Sequence, residues 1–259
     1  MSRLLAVALP PDPATFPEVS AGDDLAGMIV HAWRQATRAD SDLRPTPGDV
    51  LVVTQKVVSK AEGRVVDLAT ITPRPEAVAF AKEFDRDARQ VEVVLRESAE
   101  ILRMKRGVVI SRTRHGFVCA NAGVDASNVV PGTVTLLPED PDATARNIRR
   151  RIRDELAIDT AVVISDSFGR PWRLGIVDVA LGVAGFEPLD DQRGTPDTSG
   201  RLMRTTVVAV ADEIASAAEL AAGKTSGKPV VLVRGVRLPK GDGSVRRDVV
   251  MPRDQDLFS

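Results

Sequence analysis

With 259 residues, 43% of them hydrophobic and 27% charged, the chain has the length and balance of one or two ordinary globular domains. A net charge of −1 and a pI near 6.2 exclude the strongly basic signature of a nucleic-acid or membrane-surface protein. A single cysteine, Cys119, rules out an internal disulfide and fits a reducing cytoplasm, and two histidines, His31 and His115, are too few for a histidine-rich zinc site. No apolar run approaches the roughly 18–20 residues of a membrane span, and the N-terminus lacks a signal-peptide pattern, so no membrane partner is expected.

The first element is a short apolar run, Leu4 to Leu9, followed by a proline-rich passage to Pro17. Gly22-Asp23-Asp24 supplies a helix start, with Leu25, Met28, Ile29 and Ala32 at helical spacing behind it. Asp49 to Thr54 reads as a buried strand from its continuous β-branched content, and it runs into Gln55–Gly63, a polar segment with two lysines. Pro75 to about Arg103 reads as helix in two pieces, with alternating charge that suits a solvated surface. Gly107–Ile110 and Val134–Leu137 read as strands. From Asp142 to Leu156, the stripe Ile148, Ile152, Leu156 marks a helix whose remaining faces carry arginine. Ala161–Ile164 and Val177–Val183 are further strands, Ala211–Ala222 a helix, and Val230–Val233 a last strand. The tail, about 238–259, is polar and expected to be irregular; no internal repeat or long linker divides the chain, so a single domain over 1–259 is expected.

Two loops stand out. Phe117-Val-Cys-Ala120 is an apolar run closed by Asn121-Ala-Gly123, and directly beyond it Asp125, Ser127 and Asn128 crowd into four residues. A carboxylate beside an amide and a hydroxyl can hold a hard cation and a phosphate, or can cap its own backbone in an Asx-type turn; the local pattern leaves both open. Further on, Ala161–Ile164 is expected to stop at Ser165-Asp166-Ser167, a second acidic strand end. Two such ends in one chain suit a metal-bound phosphate site, because Mg²⁺ is commonly held by one or two carboxylates together with substrate phosphates. Gly223-Lys224-Thr225 is not a P-loop: position 218 is alanine where that motif needs glycine, and a helix precedes the loop where a strand should. No nucleophile elbow or dinucleotide fingerprint is present, and Cys119 in its apolar run reads as a small buried residue.

Taken together, Val57–Arg64, His115–Asn128, Ser165–Arg170 and Val231–Gly235 closely resemble the coenzyme F420-0:L-glutamate ligases, in order and spacing, from about Phe16 to about Gly235. The resemblance implies an α+β fold particular to those enzymes, seen as an intertwined homodimer. It implies amide formation between the terminal carboxylate of a deazaflavin coenzyme precursor and the amine of L-glutamate. GTP would be the co-substrate and Mg²⁺ or Mn²⁺ the metal, with a monovalent cation such as K⁺ as a further candidate. Some relatives carry a fused flavin-binding, nitroreductase-like domain beyond this point, so a stand-alone form is expected here, with a separate flavin-binding reductase as a candidate partner. The rival readings are glutamylation of another acid such as a folate, and a non-catalytic nucleotide-binding subunit.

Carried over position by position, the resemblance implies that Asp125 and Asp166 hold divalent metal and that Ser167 offers a hydroxyl to a second metal ion. Lys60 and Asn128 would contact the nucleotide. Gln55 and Lys56, Phe16-Pro17-Glu18-Val19 and Gly223-Lys224-Thr225-Ser226-Gly227 would complete its site, with altered side chains in the first two groups. Lys224 is a cation where some relatives offer an oxygen ligand, which puts a metal contact there in question. Lys60, Asp125 and Asp166 are the expected catalytic residues. Glu62 and His115 are candidate bases, and Arg170 and Arg173, flanking Trp172, are candidate anion contacts; the alternative for these arginines is a loop pinned to surface aspartates.

Overall fold

A computed structural model of the chain describes residues 4–9, 16–224 and 226–256; Thr225 lies outside the described residues. The chain runs through β1 (Leu5–Leu9), α1 (Leu25–Ala39), β2 (Val50–Thr54), α2 (Gln55–Ala61) and β3 (Val65–Asp67). There follow α3 (Pro75–Phe84), α4 (Ala88–Glu97), β4 (Ser98–Lys105), β5 (Val108–Thr113), β6 (Val118–Ala120) and β7 (Thr133–Thr135). The last third comprises α5 (Pro141–Leu156), β8 (Ala161–Arg170), β9 (Arg173–Ala184), β10 (Asp190–Asp191), β11 (Val207–Val208), α6 (Val210–Ala222) and β12 (Val230–Arg234). Helices and strands are thus mixed along the chain, as an α+β class requires.

The central sheet has the order β1-β12-β2-β8-β9, with β2 and β8 parallel and the other neighbours antiparallel. Because side chains alternate along a strand, Leu51 and Val53 of β2 enter one core while Val50 and Val52 enter the other. The first core packs Ile29 and Trp33 of α1 and Ile148 and Ile152 of α5 against the sheet. The second seats Ala211, Ile214, Ala215 and Ala218 of α6 on the opposite face. Covering both faces explains why these strands are continuously apolar. Gly182 of β9 is needed for this packing: a Cβ there would lie 2.3 Å from the backbone carbon of Pro141 at the start of α5.

A third, smaller core gathers Phe80 of α3, Val91 and Val94 of α4, Val109 of β5 and Val134 of β7. Here the sequence expectation needs correction. Residues beyond Glu97 are not the end of a helix but strand β4, which pairs antiparallel with β5. Helix propensity is a weak prior, and the ladder to β5 gives this backbone its partners. The expected surface helix also hides one carboxylate: Glu92 is 2% exposed and accepts bonds from Arg74 and Arg96.

The tail is less irregular than its composition suggests. Val245 is buried in the second core and starts a helical turn over Val245–Val249. The buried Asp142 at the start of α5 anchors that turn, accepting from the Val245 amide at 3.1 Å, from Ser244 Oγ at 2.7 Å, and from the Val183 amide of β9 at 2.9 Å.

Candidate active site

The two loops singled out in the sequence meet at one cavity of about 650 Å³, where β2 passes into α2 and the β8–β9 hairpin leaves the sheet. The Phe16–Val19 segment closes one side, the residues after α6 close another, and Asp125, Ser127 and Asn128 form a third. Gly227 also lines the cavity, whereas Ser226 does not.

The Asp125 loop owes its shape to three consecutive residues with left-handed backbone, Asn121, Ala122 and Gly123 (φ 53°, 52° and 71°). A side chain at Gly123 would strike Leu137 at 2.6 Å, so glycine is required there on two counts. Asn121 repays its strain by accepting from the Val109 amide at 3.1 Å. Beyond the turn, Asp125 is pinned by a backbone bridge to Thr135 and accepts from Ser127 N and Oγ, both at 2.7 Å. The Asx-type turn and the cavity-facing carboxylate therefore coexist in one residue. Lys56, on the first turn of α2, donates to Asp125 and to Ser127 Oγ at 2.8 Å. Burial alone would raise the Asp125 pKa, but the bonds from Lys56 and Ser127 outweigh it and hold the carboxyl below its ordinary value.

Asp166 is differently placed than expected. It does not end a strand: β8 continues through it to Arg170, paired all the way with β9. The apolar run stops at Ile164 because the hairpin there leaves the core, while its ladder still satisfies the backbone. A register shift between Ile164 and Ser165 re-aims the side chains at this point. Burial, followed by the neighbouring carboxylates Asp178 and Asp125, pushes the Asp166 carboxyl up to about 7, although the Ser167 amide and Lys56 act against this. Among the described residues no lysine or arginine forms an ion pair with Asp166. Cys119 lies close enough to feel the Asp166 charge, and burial with that charge drives its thiol up to about 12, so it is a packing residue rather than a nucleophile.

Asp178, which the sequence reading passed over, belongs to the same wall. It is buried in β9, accepts from Ser167 Oγ at 2.6 Å and Ser165 Oγ at 3.3 Å, and pairs with Lys224 at 3.0 Å. A lone carboxylate inside Val177–Val183, an otherwise apolar strand, was the available signal. Lys228 also lines the cavity. Lys60 projects from the last turn of α2 and is held by Glu18, while Gln55 turns its side-chain oxygen to Ser59 Oγ at 2.8 Å. Asn128 adopts a left-handed backbone (φ 54°) that asparagine tolerates well.

Other candidates fall elsewhere. Glu62 accepts from the Glu139 amide and Thr144 Oγ1, both at 2.8 Å, and His115 contacts the Glu139 carbonyl at 3.1 Å; neither lines the cavity. Arg170 and Arg173 lie at the tip of the β8–β9 hairpin, also outside the cavity, and Arg170 donates to the Leu174 carbonyl at 3.2 Å rather than to a surface aspartate.

Asp125, Asp166 and Asp178 with the Ser165 and Ser167 hydroxyls present only hard oxygen donors to the cavity. No three acidic, histidine or cysteine side chains converge into a metal cage among the described residues. That combination fits a hard divalent ion that takes one or two carboxylates and completes its shell from phosphate oxygens and water. No helix among the described residues is long and apolar enough to cross a membrane.

Comparison with known proteins shows the family. The family model described as F420-0:Gamma-glutamyl ligase matches residues 14–235. A protein of Methanothermobacter thermautotrophicus named coenzyme F420:L-glutamate ligase is 44% identical over 246 residues, covering 94% of this chain and 95% of the relative. A protein of the same name from Methanopyrus kandleri is 43% identical over 245 residues, covering 93% of each chain. One from Methanocaldococcus jannaschii is 43% identical over 212 residues, covering 82% of this chain and 84% of its own. The match extends through every segment that builds the cavity from Phe16 to Lys228, and the chain belongs to the F420-0:Gamma-glutamyl ligase family.

Proposed function

We propose that this chain is a ligase of coenzyme F420 biosynthesis that uses GTP to join the amine of L-glutamate to the terminal carboxylate of a deazaflavin precursor. The observation that carries this reading is the single cavity in which acidic Asp125, Asp166 and Asp178 face Lys56, Lys60 and Lys228, together with relatives named for that reaction. Amide formation from a carboxylate requires an oxygen to leave, and phosphate is the group a nucleoside triphosphate can install. Transfer of that phosphoryl group depends on in-line placement and charge neutralisation more than on a covalent protein group. The absence of a reactive thiol or a partnered histidine from the described cavity is consistent with this division of labour.

In this reading Asp125 and Asp166 hold Mg²⁺ or Mn²⁺, which supplies charge neutralisation to the triphosphate when bound. Lys60 and Lys56 exchange their carboxylate partners, Glu18 and Asp125, for phosphate oxygens. The precursor carboxylate attacks the γ-phosphorus, GDP departs, and the resulting acyl phosphate is opened by the glutamate amine with release of phosphate. Incubation with precursor, GTP, Mn²⁺ and glutamate should yield a product heavier by one glutamyl residue for each GDP and phosphate formed. Glutamylation of a folate with an inert deazaflavin, or release of pyrophosphate, would overturn the assignment.

A homodimer belongs to the same proposal. The hairpin tip carries Leu174 and Trp172 at 100% and 83% exposed, a surface suited to cover by a second copy. Light scattering should give twice the 27.8 kDa chain mass at micromolar protein; the single-chain mass would refute the dimer.

A further inference from the structure

Asp178, Ser167 and Lys224 cluster on the wall of the cavity that Asp125 and Asp166 also line. Asp178 is 6% exposed and sits on the paired part of β9, so its carboxylate is fixed in place. Ser167 Oγ donates to Asp178 Oδ1 at 2.6 Å and accepts a bond from Lys224 Nζ, and Ser165 Oγ reaches Asp178 Oδ2 at 3.3 Å. Lys224 Nζ also donates to Asp178 Oδ1 at 3.0 Å and lies 3.9 Å from Glu219 on α6. One carboxylate and two hydroxyls on a rigid hairpin are the donor types that hard cations take, and here an ammonium on the chain itself fills the role.

We propose that Lys224 is the resident cation of the Asp178–Ser167 position and limits the cavity to one divalent ion. This inference rests on the proposed metal site at Asp125 and Asp166 and runs against the second-metal role that the family resemblance implies for Ser167. Two physical facts argue for it. The Ser167 hydroxyl has given its only proton to Asp178 and taken a bond from Lys224, so one lone pair remains, and a metal ion using it would sit against the Lys224 ammonium. The Asp178 charge is already matched by a tethered ammonium. Unlike Lys56, which the proposed triphosphate draws off Asp125, Lys224 keeps Asp178 and Ser167 as its partners in this proposal, so a dication brought to the same oxygens would meet its charge at close range. Lys224 thus provides as a fixed part of the protein what an oxygen ligand at this position would have to recruit from solution, and a monovalent ion such as K⁺ is not needed there.

The test is a count of bound manganese. Purified protein saturated with a non-hydrolysable GTP analogue, which draws Lys56 off Asp125, is equilibrated with Mn²⁺ and desalted, and the Mn²⁺ retained per chain is counted by elemental analysis. The parent chain should bind one Mn²⁺. Lys224→Met and Lys224→Ala should each bind two, and Lys224→Arg, which keeps the charge, should return to one. Because residue 224 lies on a half-exposed loop and not in a core, the variants are expected to fold, which circular dichroism checks. Two Mn²⁺ on the parent chain, or one on both neutral variants, would overturn the inference while leaving the Asp125–Asp166 site standing. No Mn²⁺ on any of the four proteins would remove the metal site and this inference together, whereas the glutamylation assay reports on the ligase activity independently.

Discussion

Glu92 and Asp166 are both carboxylates drawn in from the surface, and they have opposite fates. Glu92, in the small helical layer, is clasped by Arg74 through both oxygens and by Arg96, and those bonds, Arg74 first, hold its carboxyl at about 2 despite burial. Asp166, on the cavity wall, is pushed up to about 7 by burial and by Asp178 and Asp125. The difference is one of supply. Where the carboxylate is structural, the chain furnishes a paired cation; on the cavity wall at Asp166 it furnishes like charges, a main-chain amide and the field of Lys56 without an ion pair. A site arranged this way costs stability in the bare protein and gains its stabilisation from a positively charged ligand.

The largest effects should come from breaking the cavity side of this comparison. Asp166→Asn and Asp125→Asn keep the size of the side chain but lose the charge a hard dication requires. Each should lower metal-dependent turnover by at least about a hundredfold, in line with the several kcal/mol that a bound metal supplies. In metal-free buffer Asp166→Asn should melt no lower than the parent, because it removes a half-buried carboxylate that Asp178 and Asp125 repel. Near-normal turnover of either variant at saturating metal would end the assignment of these residues.

A smaller effect, on stability rather than turnover, should appear at Glu92. Its folded-state pKa is depressed, so its contribution is fully present above about 4.5, the ordinary value, and is lost as pH falls through about 2. Acid unfolding of the parent should therefore contain a limb in that window. Glu92→Gln should lose this limb and melt lower at neutral pH, since Arg74 and Arg96 keep their charges without their partner. A Glu92→Gln protein that melts with the parent at neutral pH would show that the clasp is only a surface ion pair of small worth.

Much of the architecture was legible in sequence for a simple reason. The buried strands Val50–Thr54, Ala161–Ile164 and Val230–Val233 are covered on both faces and so read as unbroken apolar runs, and α1 and α5 carry stripes at helical spacing. The site was legible where small residues and turns compress polar side chains together, as at Asp125–Asn128. What sequence concealed was anything set by pairing at a distance. The extension of β8 past Asp166 depends on its hairpin with β9, and β4 depends on β5, so neither shows in local propensity. Asp178 was hidden for the same reason: only the register opposite Ser167 turns a stray polar residue in an apolar strand into part of the cavity. Glu62 and His115 were attractive as chemistry but are directed to the Glu139 backbone, which periodicity could not reveal.

The central claim, that the cavity activates a carboxylate by phosphorylation, is tested most directly by oxygen transfer. Precursor labelled with ¹⁸O in its terminal carboxylate is incubated with GTP, Mn²⁺ and L-glutamate, and the released inorganic phosphate is examined by mass spectrometry. If the carboxylate attacks the γ-phosphorus and glutamate then opens the acyl phosphate, each phosphate released carries one ¹⁸O. Unlabelled phosphate accompanying glutamylated product, or label in a guanosine monophosphate, would contradict the account.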